Sequence, residues 1–191
     1  MQIILASQSP RRRQLMELVT PDFSVCTATI CERKTEGEEP VQLALRLAQE
    51  KAQAAFAQNA AGALVIGCDT VVDLDGEVLG KPADQREAMR MLGRLSGRAH
   101  RVHTGVCICV PQLPGRPAAL FAETSIVHFS PLPEREIFNY TNTPEPYDKA
   151  GGYGIQGSMA RFIPAIEGCY YNVMGLPVAA LYAELCRLQA L

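Results

Sequence analysis

The chain has 191 residues, 48% of them hydrophobic and 20% charged, with a formal net charge of -2. This ordinary composition excludes a disordered chain and suits one domain, over residues 1–191, or two closely packed lobes, with a core of its own. The near-neutral charge argues against a broad nucleic-acid track, and no apolar run approaches the ~20 residues of a membrane span. The expectations are therefore a small anionic partner, no nucleic acid, no membrane and a cytoplasmic location. The seven cysteines lie scattered without a C-x-x-C pair, which suggests neither a disulfide framework nor a zinc knuckle.

Residues 2 to 6 read as a strand. Ser9-Pro10 then opens a helix to about Val19, with serine as N-cap and proline at the first helical position, where its missing N–H costs nothing. A second strand is expected over 23 to 28, followed by the polar loop "CERKTEGEEP". From Val41 to about Gln58, Val41, Ala44, Leu45, Ala48, Ala52, Ala55 and Phe56 recur at helical spacing. The run "ALVIGCDTVVDLDGEVLGKP" is a buried strand that continues into a hairpin turning at Asp75-Gly76. Asp84 with Glu87 predicts a capped helix through Leu95, closed by Gly97. Strands are expected over 100 to 110 and 118 to 129, with Cys107 and Cys109 as reduced core fillers, and a short helix over 133 to 140. The glycine-rich "TPEPYDKAGGYGIQG" reads as a loop, 160 to 166 as a strand, and "YYNVMGLP" as the lead into a final helix with Pro177 near its start. Interleaved strands and helices imply an α/β fold, a mixed twisted sheet with flanking helices.

Three places could carry chemistry. The first is "LASQSPRRRQL". Arginine is disfavoured in a first helical turn, where unpaired N–H groups already carry partial positive charge, so Arg11 and Arg12 call for a negative ligand. Ser7 and Ser9, the arginine forks and the helix N-terminus together suit phosphate oxygens, although the G-x-x-x-x-G-K-[ST] pattern of a P-loop is lacking. A capped helix with solvated arginines is the plainer alternative. The second is Asp69, which would lie at or near the edge of a buried sheet, where ionisation is costly without a cation or a base's task to explain it. A hydrogen-bonded structural aspartate is the alternative there, and Thr70 beside it could be strand filler. The third is "EPYDKAGGYGIQG", whose glycines permit close approach to a ligand and whose Gln156 amide can both donate to and accept from a nucleobase edge, with Asp148 and Lys149 nearby. Lys51, Lys81 and Glu32 would not be singled out alone. His100 and His103 fall on opposite strand faces, and with His128 imply no metal-binding pair.

Taken together, "LASQSPRR", "GCDTVV" followed by "GKP", "LSGRAHRVHTGV", "EPYDKAGGYGIQG" and "IEGCYYNVMGLP" occur in an order that resembles the Maf family of nucleoside triphosphate pyrophosphatases, most of all its dTTP/UTP-cleaving branch. The resemblance spans residue 4 to about 178. It implies a Maf/ITPase-like fold of two lobes around a central cleft, a divalent cation (Mg²⁺ or Mn²⁺), a homodimer, and cleavage of a nucleoside triphosphate to monophosphate and diphosphate. By the same resemblance, Asp69 is the catalytic aspartate and Glu32 a further acidic residue, the two holding the metal. Ser7, Ser9, Arg11, Arg12, Lys51 and Lys81 bind substrate, and Arg11, Thr70 and Gln156 are associated with pyrimidine preference. Cys68 and Gly152 stand where the family commonly has alanine, and Cys68 raises the question of oxidation sensitivity. Modified pyrimidine nucleotides are a further substrate class left open. The alternatives are the sister branch acting on 7-methyl-GTP and a non-catalytic, nucleotide-binding regulator of cell division.

Overall fold

The computed structural model describes residues 1–27, 29–59 and 62–191. Its centre is one seven-stranded mixed sheet. Strand β1 (Ile3–Ala6) leads into helix α1 (Pro10–Glu17), and β2 (Ser24–Cys26) into α2 (Pro40–Gln58). The long β3 (Leu64–Leu74) turns at Asp75-Gly76 into β4 (Glu77–Leu79), followed by α3 (Gln85–Leu95). Strands β5 (Ala99–Cys109) and β6 (Ala119–His128), helix α4 (Glu134–Thr141), β7 (Ala165–Glu167), α5 (Tyr170–Met174) and α6 (Val178–Arg187) complete the chain. The order across the sheet is β2-β1-β3-β5-β6-β7, with β4 also on β3. The β1, β2 and β3 pairings are parallel and all others antiparallel.

One feature of β3 creates the cleft. Along one edge it pairs with β1 only as far as Gly67 and with β4 only from Val72, which leaves the backbone of residues 68 to 71 uncovered on that side. The other edge is paired with β5 throughout, Asp69 opposite Gly105 and Thr70 opposite Thr104. Asp69 is thus in mid-strand yet at a local sheet edge, as its sequence context suggested.

Alternation along β3 then sorts its side chains. Leu64, Ile66 and Cys68 pack with Leu5, Met16, Ile108 and Leu181 in one core cluster, and Val72 and Leu74 with Leu92, Leu95, Val127 and Phe129 in a second. Thr70 lies on that same face, between the two clusters. On the opposite face α2 lies so close that a Cβ at Gly67 would stand 2.3 Å from the Ala48 carbonyl oxygen, and one at Gly105 2.3 Å from that of Ala44. This close approach needs glycine in the strands and small residues on the helix, and it turns the buried stripe of α2 to Leu43, Ala44, Leu47, Ala48, Ala52 and Ala55. Val41, Leu45 and Phe56, expected within it, are only half-buried.

Other departures from the sequence reading are local. The second strand pairs only over Ser24–Cys26, and Ala28, included in the expected range, lies outside the described residues. The glycine-rich loop contains short 3₁₀ turns at Glu145–Asp148 and Ala150–Gly152, tied down where the Gly151 N–H donates to the Gly80 carbonyl (2.9 Å). Instead of a strand from 160, a third 3₁₀ turn occupies Ser158–Phe162 and the strand starts at Ala165. The "YYNVM" run forms the separate helix α5, ended by Gly175 at a φ of 113°, a left-handed conformation favourable only to glycine. No helix among the described residues is long and apolar enough to cross a membrane.

Candidate active site

Two adjoining cavities open along the uncovered edge of β3. The larger, about 650 Å³, runs past Thr70, Tyr153, Gln156 and Gly175; the smaller, about 460 Å³, lies over Ser7, Ser9 and the start of α1. Arg11, Arg12, Glu32, Lys51, Lys81 and Asp148 line both. The larger is within the usual size of a small-molecule site.

At their junction the charged groups converge. Lys51, on α2, places its Nζ 2.5 Å from Asp69 Oδ1 and 2.5 Å from Glu32 Oε1. Asp69 is 8% exposed, so its charge is met by the ammonium rather than by bulk water. Burial alone would push the Glu32 carboxyl up, but the hydrogen bond and charge of Lys51, with Lys81 and Arg12 beyond, outweigh it and hold it below its ordinary range.

The opening of α1 follows the capping chemistry expected of it. Ser9 Oγ accepts from the Arg12 N–H (3.5 Å), and Ser7 Oγ from the Ser9 N–H (3.2 Å), with Pro10 at the first helical position. Each hydroxyl serves the backbone as an acceptor and so keeps its own proton to donate outward. Acidic residues are missing from the first turn of α1. Arg13 is exposed and takes no part in the lining, whereas Arg11 and Arg12 turn into it.

These two arginines are held differently. Arg11 Nη1 reaches across the cleft to Asp148 Oδ2 (3.1 Å). Burial raises the Asp148 carboxyl, but its bonds to Lys149 and Arg11 dominate and keep it below its ordinary range. Arg12 is fixed through neutral partners: Nε donates to the Gly175 carbonyl (2.8 Å) and Nη2 to Thr70 Oγ1 (2.9 Å). Thr104 Oγ1 donates to the Asn172 carbonyl (2.9 Å), which commits its only proton, so the 3.0 Å contact between the two threonines runs from Thr70 to Thr104. Thr70 is left facing Arg12 purely as an acceptor. Gln156 is exposed on the wall of the larger cavity.

All ten residues singled out from the sequence therefore border this one cleft, Ser7 from the smaller cavity only, and Asp69, Thr70 and Gln156 from the larger only. Thr104, Asn172 and Gly175 were missed, because their relevance depends on strand register and on the ending of α5, neither of which has a local signature. Cys68 answers its own question: it is fully buried on the face of β3 opposite Asp69, and burial, with Asp69 adding to it against the opposing charges of Arg12 and Lys51, pushes its thiol up to about 11. It is an unreactive core residue.

Comparison with known proteins places the chain in a family. Residues 2–188 match the family model described as Maf-like protein. The chain belongs to the Maf family. Among the relatives of this family member, a dTTP/UTP pyrophosphatase of Carboxydothermus hydrogenoformans is 46% identical over 185 residues, covering 97% of each chain. A dTTP/UTP pyrophosphatase of Symbiobacterium thermophilum is 48% identical over 177 residues, 93% of this chain and 89% of that one. The solved structure of a HAM1 protein from Coxiella burnetii superposes with a TM-score of 0.53 at 14% identity, over 98% of this chain and 99% of that chain, a likeness of fold.

Proposed function

We propose that this chain hydrolyses dTTP and UTP at the bond between the α- and β-phosphates, releasing the nucleoside monophosphate and pyrophosphate. The observation that carries this reading is the Asp69–Lys51–Glu32 cluster at the junction of a hydroxyl- and arginine-lined recess with a larger, glycine-walled cavity. A nucleotide laid across that junction has its base and sugar beside Gln156 and its outer phosphates beside Ser7, Ser9, Arg11 and the N-terminus of α1. The bond to be cleaved then lies at the carboxylates. The negative charge that the opening arginines lack within their own helix comes from the substrate.

In this reading Asp69 orients a water and accepts its proton as oxygen attacks the α-phosphorus. The P–O bond to the β-phosphate breaks, and Arg11, Arg12, Lys51 and Lys81 stabilise the charge developing on the departing pyrophosphate. Two carboxylate oxygens that share one ammonium at 2.5 Å are close enough to share a cation, and an all-oxygen pair suits Mg²⁺ or Mn²⁺ held jointly with substrate phosphates. Glu32 and Asp69 would hold that ion. Among the described residues no cluster of three or more His, Cys, Asp or Glu offers a cage built from protein alone. When bound, the ion would neutralise phosphate charge and polarise the attacked phosphoryl group. The cytoplasmic location and the homodimer implied by the family resemblance belong to the same proposal.

The test is a panel of dTTP, UTP, CTP, GTP and 7-methyl-GTP with Mg²⁺ or Mn²⁺, reading pyrophosphate and nucleoside monophosphate separately. Pyrophosphate release fastest with dTTP and UTP is expected. Gln156→Ala should lose more base discrimination than overall rate, by about five- to tenfold for one hydrogen-bonding group. Preference for 7-methyl-GTP would assign the sister activity, and tight binding without turnover a sensing role.

A further inference from the structure

Glu32 lies in a stretch, residues 31 to 39, that has neither helix nor strand and no buried residue. Hydrophobic packing therefore cannot set its conformation, yet its carboxylate stands 2.5 Å from Lys51 Nζ. Within it the Arg33 N–H donates to the Cys31 carbonyl (2.9 Å) and the Glu38 N–H to the Thr35 carbonyl (3.1 Å), and one guanidinium on α2, one and a half turns before Lys51, ties it to the helix. Arg46 donates from Nε to Glu38 Oε1 (2.7 Å) and from Nη2 to Glu38 Oε2 (2.8 Å), gripping both oxygens of one carboxylate. The same Nη2 donates to the carbonyl of Arg33, the residue following Glu32 (2.8 Å), and Nη1 donates to Glu50 Oε1 (2.8 Å). Glu38 also closes the turn by accepting from the Thr35 N–H (3.1 Å).

We propose that Arg46 is a positioning residue of the reaction centre, clamping the stretch that presents Glu32 so that the carboxylate and Lys51 are held from one rigid helix. The pair is half-buried, and a planar fork that grips both oxygens of one carboxylate together with a backbone carbonyl of a coreless loop fixes the geometry of that loop. Its hydrogen bonds with Arg46 are the main reason the Glu38 carboxyl is held down at about 2, with burial opposing and Thr35 and the Arg46 charge assisting. The clamp thus keeps its charge across any working pH. The proposal rests on the reading that Glu32 acts at the cleavage site.

The test is a double-mutant cycle combined with a probe of the loop. Arg46→Gln should lower kcat by about tenfold or more, as expected for a misplaced reacting group, with Tm changed by only a few degrees. In a Glu32→Gln background the same substitution should add no further loss, because its route of action is gone. Arg46→Lys, which keeps the charge without the fork, should recover only part of the rate. Trypsin should cut after Arg33 or Lys34 several-fold faster in Arg46→Gln. Equal losses in both backgrounds, an unchanged kcat, or an unchanged cleavage rate would each overturn the proposal. A Glu32→Gln variant with full activity would instead show that the reading of Glu32 is wrong, and the proposal would fall with it.

Discussion

The two faces of β3 solve the same problem, holding a cation beside the cleft, by opposite means. Asp69 faces α2 and meets Lys51 charge to charge, with Glu32 completing the cluster. One residue on, Thr70 faces the gap between the two core clusters and holds Arg12 through an uncharged chain of hydroxyls ending at a backbone carbonyl. A charged cluster can take and give protons or share a metal, but its geometry shifts with whatever ion enters. A directed chain of neutral hydrogen bonds cannot do that chemistry, yet each donor has one acceptor and the guanidinium has one orientation. Under the proposed function, turnover belongs to the first face and substrate positioning to the second.

The sharpest way to break this division is Asp69→Asn, which keeps size and removes the base. It should lower kcat by roughly a hundredfold or more, with the fold intact by circular dichroism and Tm. Near-wild-type pyrophosphate release would remove Asp69 from the mechanism and leave the two faces without distinct roles. A smaller effect is expected on the other face. Thr104→Val leaves Thr70 without its acceptor and the Asn172 carbonyl with the Gly175 N–H alone, so KM for the triphosphate should rise about five- to tenfold with kcat nearly constant, and Thr104→Ser should restore it. A fall in kcat at constant KM would mean that both faces serve the chemical step.

A third effect, on stability rather than turnover, lies behind the site and touches neither face of this division. His100 is buried, its Nε2 2.6 Å from the hydroxyl of Tyr153, whose residue lines the larger cavity. Burial, with a lesser push from His128 and a weak opposing pull from Asp73, lowers its pKa to about 4 from 6.5. The folded chain therefore keeps the imidazole neutral where the unfolded chain protonates it. This contribution to stability is complete above pH 6.5 and is lost as pH falls from 6.5 through 4, at most about 3 kcal/mol over the window. Tm measured across that range should decline, and His100→Gln should flatten the decline. A slope unchanged by His100→Gln would place the titration elsewhere.

Much of the site was legible in the chain because its signals are local. Ser9-Pro10 announces a helix start, arginines at that start announce an absent anion, and an aspartate within an apolar strand announces a reason to be there. Lys51, Lys81 and Glu32 carried no such signal: their residue types are common on surfaces, and only family resemblance picked them out. Thr104 and Arg46 were invisible for a further reason, since a threonine in a strand and an arginine on a helix acquire meaning only from partners 34 residues and eight residues away, Thr70 and Glu38.

By itself the amino-acid order determined most of the elements up to α4, the caps of α1 and α3, the buried strand and the arginine-bearing helix start, because hydrophobic period, capping and turn chemistry act over a few residues. Tertiary structure alone decided that the pairing of β1 with β3 stops at Gly67 and that of β4 starts at Val72, so that the edge between them opens onto the cleft. It also decided that α2 lies against Gly67 and Gly105 closely enough to carry Lys51 to Asp69. Such outcomes depend on strand pairing and on the fit of distant surfaces, and no short stretch of sequence contains both halves of either contact.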